Sequence, residues 1–176
     1  KGDGASAVIV VHSERRQHHG ETDAIVAAKA KAARRAGLLA IVCIGETKSQ
    51  RLAGKALSVC GDQIAGSVPE GMNSSDPAIG YEPPWAIGSG HMPTSQAIIE
   101  VHSHTRECLA ARLGKEGKKV RILYGGVVKP SNARAILALA DLRGGLVRGA
   151  SLNAAACQSL VRVTSFRARP HGGRSS

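Results

Sequence analysis

Apolar positions along the chain follow two alternating rhythms. Short, almost wholly apolar runs recur at Ala7-Val8-Ile9-Val10-Val11, Ala40-Ile41-Val42-Cys43-Ile44, Ala78-Ile79-Gly80-Tyr81 and Val120-Arg121-Ile122-Leu123-Tyr124, with a weaker run at Gly145-Leu146-Val147. Runs lacking apolar–polar alternation read as strands buried on both faces. Between them lie longer Ala-rich stretches: Thr22–Ala36, Leu52–Ser67, Thr94–Leu113, Pro130–Leu139 and Asn153–Val163. Gly37 sits where a helix C-terminus wants glycine, Thr94 where an N-cap hydroxyl belongs, and Pro130 in a first turn. The pattern predicts five βα units in series, joined by right-handed crossovers into a parallel α/β sheet. It places one domain over 1–163 and a basic, disordered tail over 164–176, where Arg, Gly and Ser take over.

Composition narrows the class. A chain of 176 residues that is 43% hydrophobic can bury one core, and it holds no uninterrupted apolar run long enough for a bilayer. Aromatics make up only 2%, so the core must be built from Ala, Val, Ile and Leu. Lys1–Ala5 has no apolar signal region, and Cys43, Cys60, Cys108 and Cys157 show no paired spacing, which predicts reduced thiols in a cytoplasmic protein. The first residue is Lys rather than Met, as expected for a piece of a longer reading frame. The net charge of +11 is spread along the chain without interleaved aromatics, a solvated face rather than a nucleic-acid site.

Parallel sheets place their chemistry at the C-terminal ends of the strands. Those ends read His12-Ser13-Glu14-Arg15-Arg16, Gly45-Glu46, Glu82-Pro83-Pro84-Trp85, Gly125-Gly126 and Arg148-Gly149-Ala150-Ser151. Glu82 can abstract a proton from carbon while His12 polarises the adjacent carbonyl, both projecting into one pocket from neighbouring strands. Each also has a plainer reading, a strand-end histidine satisfied by backbone and a surface carboxylate before a proline. Gly125-Gly126 and Gly149 offer backbone N–H groups suited to an anion, or merely turn the chain. Gly88-Ser89-Gly90 is too short for a dinucleotide fingerprint, and Trp85 beside two prolines reads as a hinge before a lid. His18-His19 are adjacent and His102/His104 two apart, spacings that predict no metal site.

The segments VIVVHSERR (8–16), IVCIGE (41–46), YEPPWAIGSG (81–90), ILYGGVVKPSN (122–132) and LVRGASL (146–152) resemble, in order and spacing, the triosephosphate isomerase family over residues 1–160. The resemblance implies a (β/α)8 barrel, here partial, its units corresponding to the family's strands four to eight. It implies interconversion of dihydroxyacetone phosphate and glyceraldehyde 3-phosphate without a cofactor or metal. Glu82 then matches the proton-shuttling base and His12 the neutral imidazole electrophile. Pro83–Met92 matches the lid, in which Gly88 meets the phosphate; Gly149 matches a glycine of the last phosphate loop. Glu14 matches a supporting carboxylate and Cys43 a buried cysteine beside the site. The family is homodimeric, and its substrate is a small phosphorylated triose; no membrane partner is implied.

Departures from the pattern are specific. A family barrel takes about 250 residues, so the first three units, with their catalytic lysine, its neighbouring asparagine and the interlocking dimer loop, have no counterpart here. Val127 stands where the family places a phosphate-binding serine, Arg148 replaces a glycine of the last loop, Val11 replaces a glycine before the histidine, and Pro84 stiffens the hinge. These features predict a weakly stable chain with little or no activity, one able to associate through exposed sheet edges.

Overall fold

A computed structural model describes residues 2–87, 91–147 and 149–165. Four strands, β1 (Ala7–Val11), β2 (Leu39–Ile44), β3 (Pro77–Tyr81) and β4 (Arg121–Tyr124), form one sheet in the order β1-β2-β3-β4. Every pairing is parallel, as crossover helices require. β3 is central and buried at all five positions.

β1 departs from expectation. It pairs with β2 alone among the described strands, and Val8 and Ile9 are 37% and 51% exposed, whereas Val10 and Val11 are buried. An apolar run therefore marks an edge strand whose outer side has no neighbour among the described strands. Its register slips between Ile9 and Val11, a bulge immediately before His12; bulges of this kind bend a strand and re-aim the side chains that follow.

The expected fifth strand is reduced to a single parallel bridge between Tyr124 and Gly145, although Tyr124 N–H still bonds Gly144 O at 3.0 Å and Leu146 N–H bonds Tyr124 O at 2.9 Å. With glycine at its head and only two side chains to pack, the segment follows β4 without extending the ladder.

The helices cover the sheet through their apolar stripes. α2 (Asp23–Arg35) buries Val26, Ala30 and Ala33, and α5 (Ser95–Leu113) buries Ile98, Val101, His102, Thr105 and Leu109. Both follow the three-to-four-residue spacing of one helix face. Thr94 caps α5 as expected, its hydroxyl accepting from Ala97 N at 3.1 Å. The stretch expected as one helix over Leu52–Ser67 is two: α3 (Lys48–Leu52) and α4 (Ala56–Ser67). Gly54 between them takes φ +70, which ends the first helix. A short helix, α1 (Ser13–His18), occupies the polar stretch that follows β1, for which the sequence pattern predicted no element. α6 (Pro130–Leu137) and α7 (Ala154–Ser165) complete the layer. α7 thus runs to Ser165, and residues 166–176 lie outside the described residues. Among the described residues, no helix is long and apolar enough to cross a membrane.

Candidate active site

β1 and β3 deliver the two residues of interest, and β2 lies between them. His12 and Glu82 therefore come from strands flanking a shared neighbour rather than from adjacent ones. Their side chains nonetheless meet, His12 Nε2 lying 3.2 Å from Glu82 Oε2.

His12 ends β1 and serves as the N-cap of α1. The backbone N–H of Glu14 donates to His12 Nδ1 at 3.3 Å. An accepting Nδ1 carries no proton, so a neutral ring bears its hydrogen on Nε2, aimed at Glu82. α1 is itself anchored: Arg16 bonds Cys43 O at 3.4 Å, Ser67 Oγ at 2.8 Å and Asp23 Oδ1 at 2.5 Å. The basic H-S-E-R-R run thus ties the imidazole's support to β2, α2 and α4.

Glu82 follows the central strand and is 1% exposed. Its N–H bonds Ile44 O at 2.7 Å, while Gly125 N–H bonds Tyr81 O at 2.8 Å, so the backbone on both sides closes around it. Two glycines permit that closure. A Cβ on Gly45 would strike the Glu82 carbonyl, and one on Gly125 would strike Glu82 Cγ and sit 3.0 Å from Oε1. The glycine at the end of β4 is therefore required by the bulk of the Glu82 side chain. Cys43, buried on β2, hydrogen-bonds the Glu82 carboxylate; burial first, and then that negative charge, hold its thiol well above the usual range.

A second carboxylate, assigned no role by sequence reasoning, organises the floor of the site. Glu46 is fully buried at the end of β2. Its Oε1 accepts from Arg51 Nε at 2.8 Å, Trp85 Nε1 at 3.0 Å and the Tyr81 hydroxyl at 3.2 Å, and Arg51 Nη2 donates to that hydroxyl at 2.8 Å. Trp85 lies in the short turn Pro84–Ala86 directly after Glu82. The G-E pair at a strand end was the available signal: a carboxylate there, if buried, must find cations and donors.

The remaining candidates are less closely tied. Glu14 lies beside His12, its Oε2 3.7 Å from Nδ1, with a side chain 55% exposed. Val127 is half-buried in the turn after β4, and its carbonyl accepts from Asn132 Nδ2 at 3.1 Å. Gly149 opens an exposed turn, Gly149–Leu152, with open space where a Cβ would stand. Gly88 and Arg148 lie outside the described residues. Among the described residues, no group of three or more His, Cys, Asp or Glu side chains could hold a metal ion.

Comparison with known proteins points to one family. The family model described as triosephosphate isomerase matches residues 1–164. A triosephosphate isomerase of Rhodopseudomonas palustris is 57% identical over 152 residues, covering 86% of this chain and 60% of that protein. One from Hyphomonas neptunium is 53% identical over 165 residues, covering 94% of this chain and 66% of that one. The crystal structure of triosephosphate isomerase from Bartonella henselae superposes with a TM-score of 0.86 at 44% identity, over 94% of this chain and 67% of its own. The chain spans about three fifths of the R. palustris protein's length.

Proposed function

The chain belongs to the triosephosphate isomerase family, and from that premise we propose that it carries the proton-transfer half of an aldose–ketose isomerase acting on a phosphorylated triose. The observation that supports this most directly is the 3.2 Å approach of His12 Nε2 to Glu82 Oε2, with the ring's tautomer set by Glu14 N–H.

Glu82 takes the proton from C1 of the ketose, and the electron pair moves through the new C1–C2 double bond onto the carbonyl oxygen. His12 Nε2–H donates to that oxygen as its charge grows. The Nε2 proton passes to the C2 oxygen, the C1 hydroxyl gives its own proton back to Nε2, and Glu82 returns the abstracted proton to C2, so that the aldose results with both residues restored. Glu82's near-complete burial suits it to proton abstraction from carbon, since water does not compete for the carboxylate. The substrate's phosphate would be met by backbone N–H groups at Gly88 and Gly149, with Val127 and Arg148 at positions where the family has a serine and a glycine. A methyl-bearing wall at Val127 offers no hydrogen bond, which weakens phosphate binding by about 1–3 kcal/mol.

The fold is read as a partial (β/α)8 barrel. Four strands and a bridged fifth segment do not close such a sheet, because closure fixes strand number, tilt and shear together. We infer that this 176-residue chain on its own turns over little substrate. The expressed chain, assayed for isomerisation of glyceraldehyde 3-phosphate, should give a rate at or near that of its Glu82→Gln variant. Robust turnover abolished by that substitution would retain the site and refute the inactivity.

A second reading, a non-catalytic barrel remnant that associates through its sheet edge, is favoured by one observation: Val8 and Ile9 are exposed on β1, which pairs with β2 alone among the described strands. Light scattering showing a monomer at all concentrations would remove it.

A further inference from the structure

One helix stands behind both arms of the strand-end pair. α4 buries Ala56, Cys60, Ile64 and Ser67, the three-to-four-residue spacing of a single helix face. Gln63 lies one position before Ile64 and four before Ser67, and is itself half-buried. Two polar side chains, Gln63 and Ser67, thus stand one turn apart on the face that α4 turns inward.

Gln63 grips Gly45 with both ends of its amide. Gly45 N–H donates to Gln63 Oε1 at 2.8 Å, and Gln63 Nε2 donates to Gly45 O at 3.2 Å. Gly45 follows Ile44, the last residue of β2 that pairs with β3. Beyond the ladder a backbone N–H and C=O still need partners, and a primary amide supplies one acceptor and one donor in the spacing of another strand.

That grip bears on Glu82. A Cβ on Gly45 would lie 2.7 Å from the Glu82 carbonyl carbon and 3.1 Å from Pro83 N, so the two backbones touch along the Glu82–Pro83 bond. Glu82 N–H is meanwhile held by Ile44 O at 2.7 Å. A turn of the Gly45 peptide would therefore push the main chain of Glu82 and move its carboxylate. Glu46, the next residue along, would move too, and its Oε1 accepts the Trp85 indole N–H at 3.0 Å.

Ser67 serves the other arm. Its hydroxyl accepts from Arg16 Nη2 at 2.8 Å and donates to Asp23 Oδ1 at 2.8 Å, and Arg16 belongs to α1, the helix that His12 caps. β1 and β3 do not pair with each other, so no ladder sets the distance between His12 and Glu82 directly. Their approach depends on what holds each from behind, and α4 contributes to both holds.

We propose that Gln63 is a positioning residue for Glu82, acting through the Gly45 peptide that its amide clamps from both sides. The role in proton transfer rests on the isomerase reading above; the clamp itself rests on the two amide bonds and the Gly45–Glu82 contact. Ser67, on the same helix face but tied to the His12 arm, is the internal control.

Trp85 is the only tryptophan of the chain, so its fluorescence reports on the turn that Gly45 and Glu46 support. Gln63→Leu should shift the emission to longer wavelength as that turn opens to water. Gln63→Glu should show the same shift in mild alkali, because a carboxylate accepts from Gly45 N–H but cannot donate to Gly45 O. A protonated carboxyl does both, and the neighbouring carbonyl oxygen favours that form, raising its titration above about 4.3. Acidification toward that range should return Gln63→Glu to the parent's emission at the same pH and leave Gln63→Leu shifted, a rescue that lost packing does not give. Ser67→Ala should leave the emission unmoved. Any isomerisation by the parent should fall about ten- to a hundredfold in kcat in Gln63→Leu, with KM unchanged. The proposal fails if Gln63→Leu emits as the parent does, if acid does not restore Gln63→Glu while the parent stays folded, or if Ser67→Ala shifts the emission equally. It fails also if the Gly45 amide of the unaltered chain exchanges its hydrogen as fast as an open loop, a measurement that stands where a variant does not fold. A parent without measurable turnover bears on the isomerase reading alone, since emission and exchange decide the clamp.

Discussion

Trp85 donates its indole N–H to Glu46 at 3.0 Å, so the turn that follows Glu82 is fixed to the end of β2. The bond is charge-assisted and half-buried, a class worth about 1.5–3 kcal/mol. Trp85→Phe removes the donor together with part of the ring, and should lower the urea unfolding free energy by at least that amount. Glu46→Gln should cost more, because it leaves the Arg51 guanidinium, bonded to Glu46 at 2.7 Å, without its counter-charge.

Acid should unfold this chain in two stages with different owners. His102 is fully buried against the ring of Tyr81, at a centroid distance of 5.9 Å, and burial depresses it from 6.5 to about 4. The unfolded chain therefore binds a proton that the folded chain refuses, so stability falls as pH drops from 6.5 to about 4. Glu21, held by Arg15 and Lys29, and Glu116, held by Lys119 and Ser74, are both depressed from 4.5 to about 2. Their contribution is complete above pH 4.5 and is lost as pH falls toward 2. Urea midpoints measured across pH should show both slopes, His102→Phe flattening the upper one and Glu21→Gln part of the lower.

Much of this was legible in the sequence because each strand ends in a turn whose chemistry is local. His12, Glu82 and the Gly125-Gly126 turn could be found from position alone, since a parallel sheet gathers its strand ends at one edge. The exposure of Val8 and Ile9 was not legible: an apolar run reads identically on a central strand and on an edge strand, and only pairing partners distinguish them. The Glu46 network escaped for a related reason. Arg51, Tyr81 and Trp85 reach one carboxylate from three elements, a convergence with no periodicity along the chain.

Glycine at position 125 should tolerate no side chain. Gly125→Ala drives a methyl group into Glu82 Cγ, the root of a side chain that is itself buried. Overpacking of this kind costs about 1–3 kcal/mol. Gly149→Ala, at a position with open space, should change stability by less than about 0.5 kcal/mol. Thermal melts of the two variants side by side check the contrast; equal shifts would mean that the β4 end is looser than the geometry requires.

Edge exposure makes the last prediction the most direct to read. Val8 and Ile9 lie on the strand whose outer N–H and C=O groups meet no described neighbour, and an apolar edge of this kind templates pairing with other chains. Ile9 is 51% exposed, so a lysine there loses little packing and places a charge where another strand would dock. Ile9→Lys should therefore shift the sedimentation distribution toward monomer while leaving the unfolding midpoint of dilute protein within about 0.5 kcal/mol of the parent. Val26→Lys is the counter-case, since Val26 is fully buried on α2 and the same charge there should unfold the chain rather than disperse it. If Ile9→Lys leaves association unchanged, the contact surface is not β1, and the apolar face of another element must carry it.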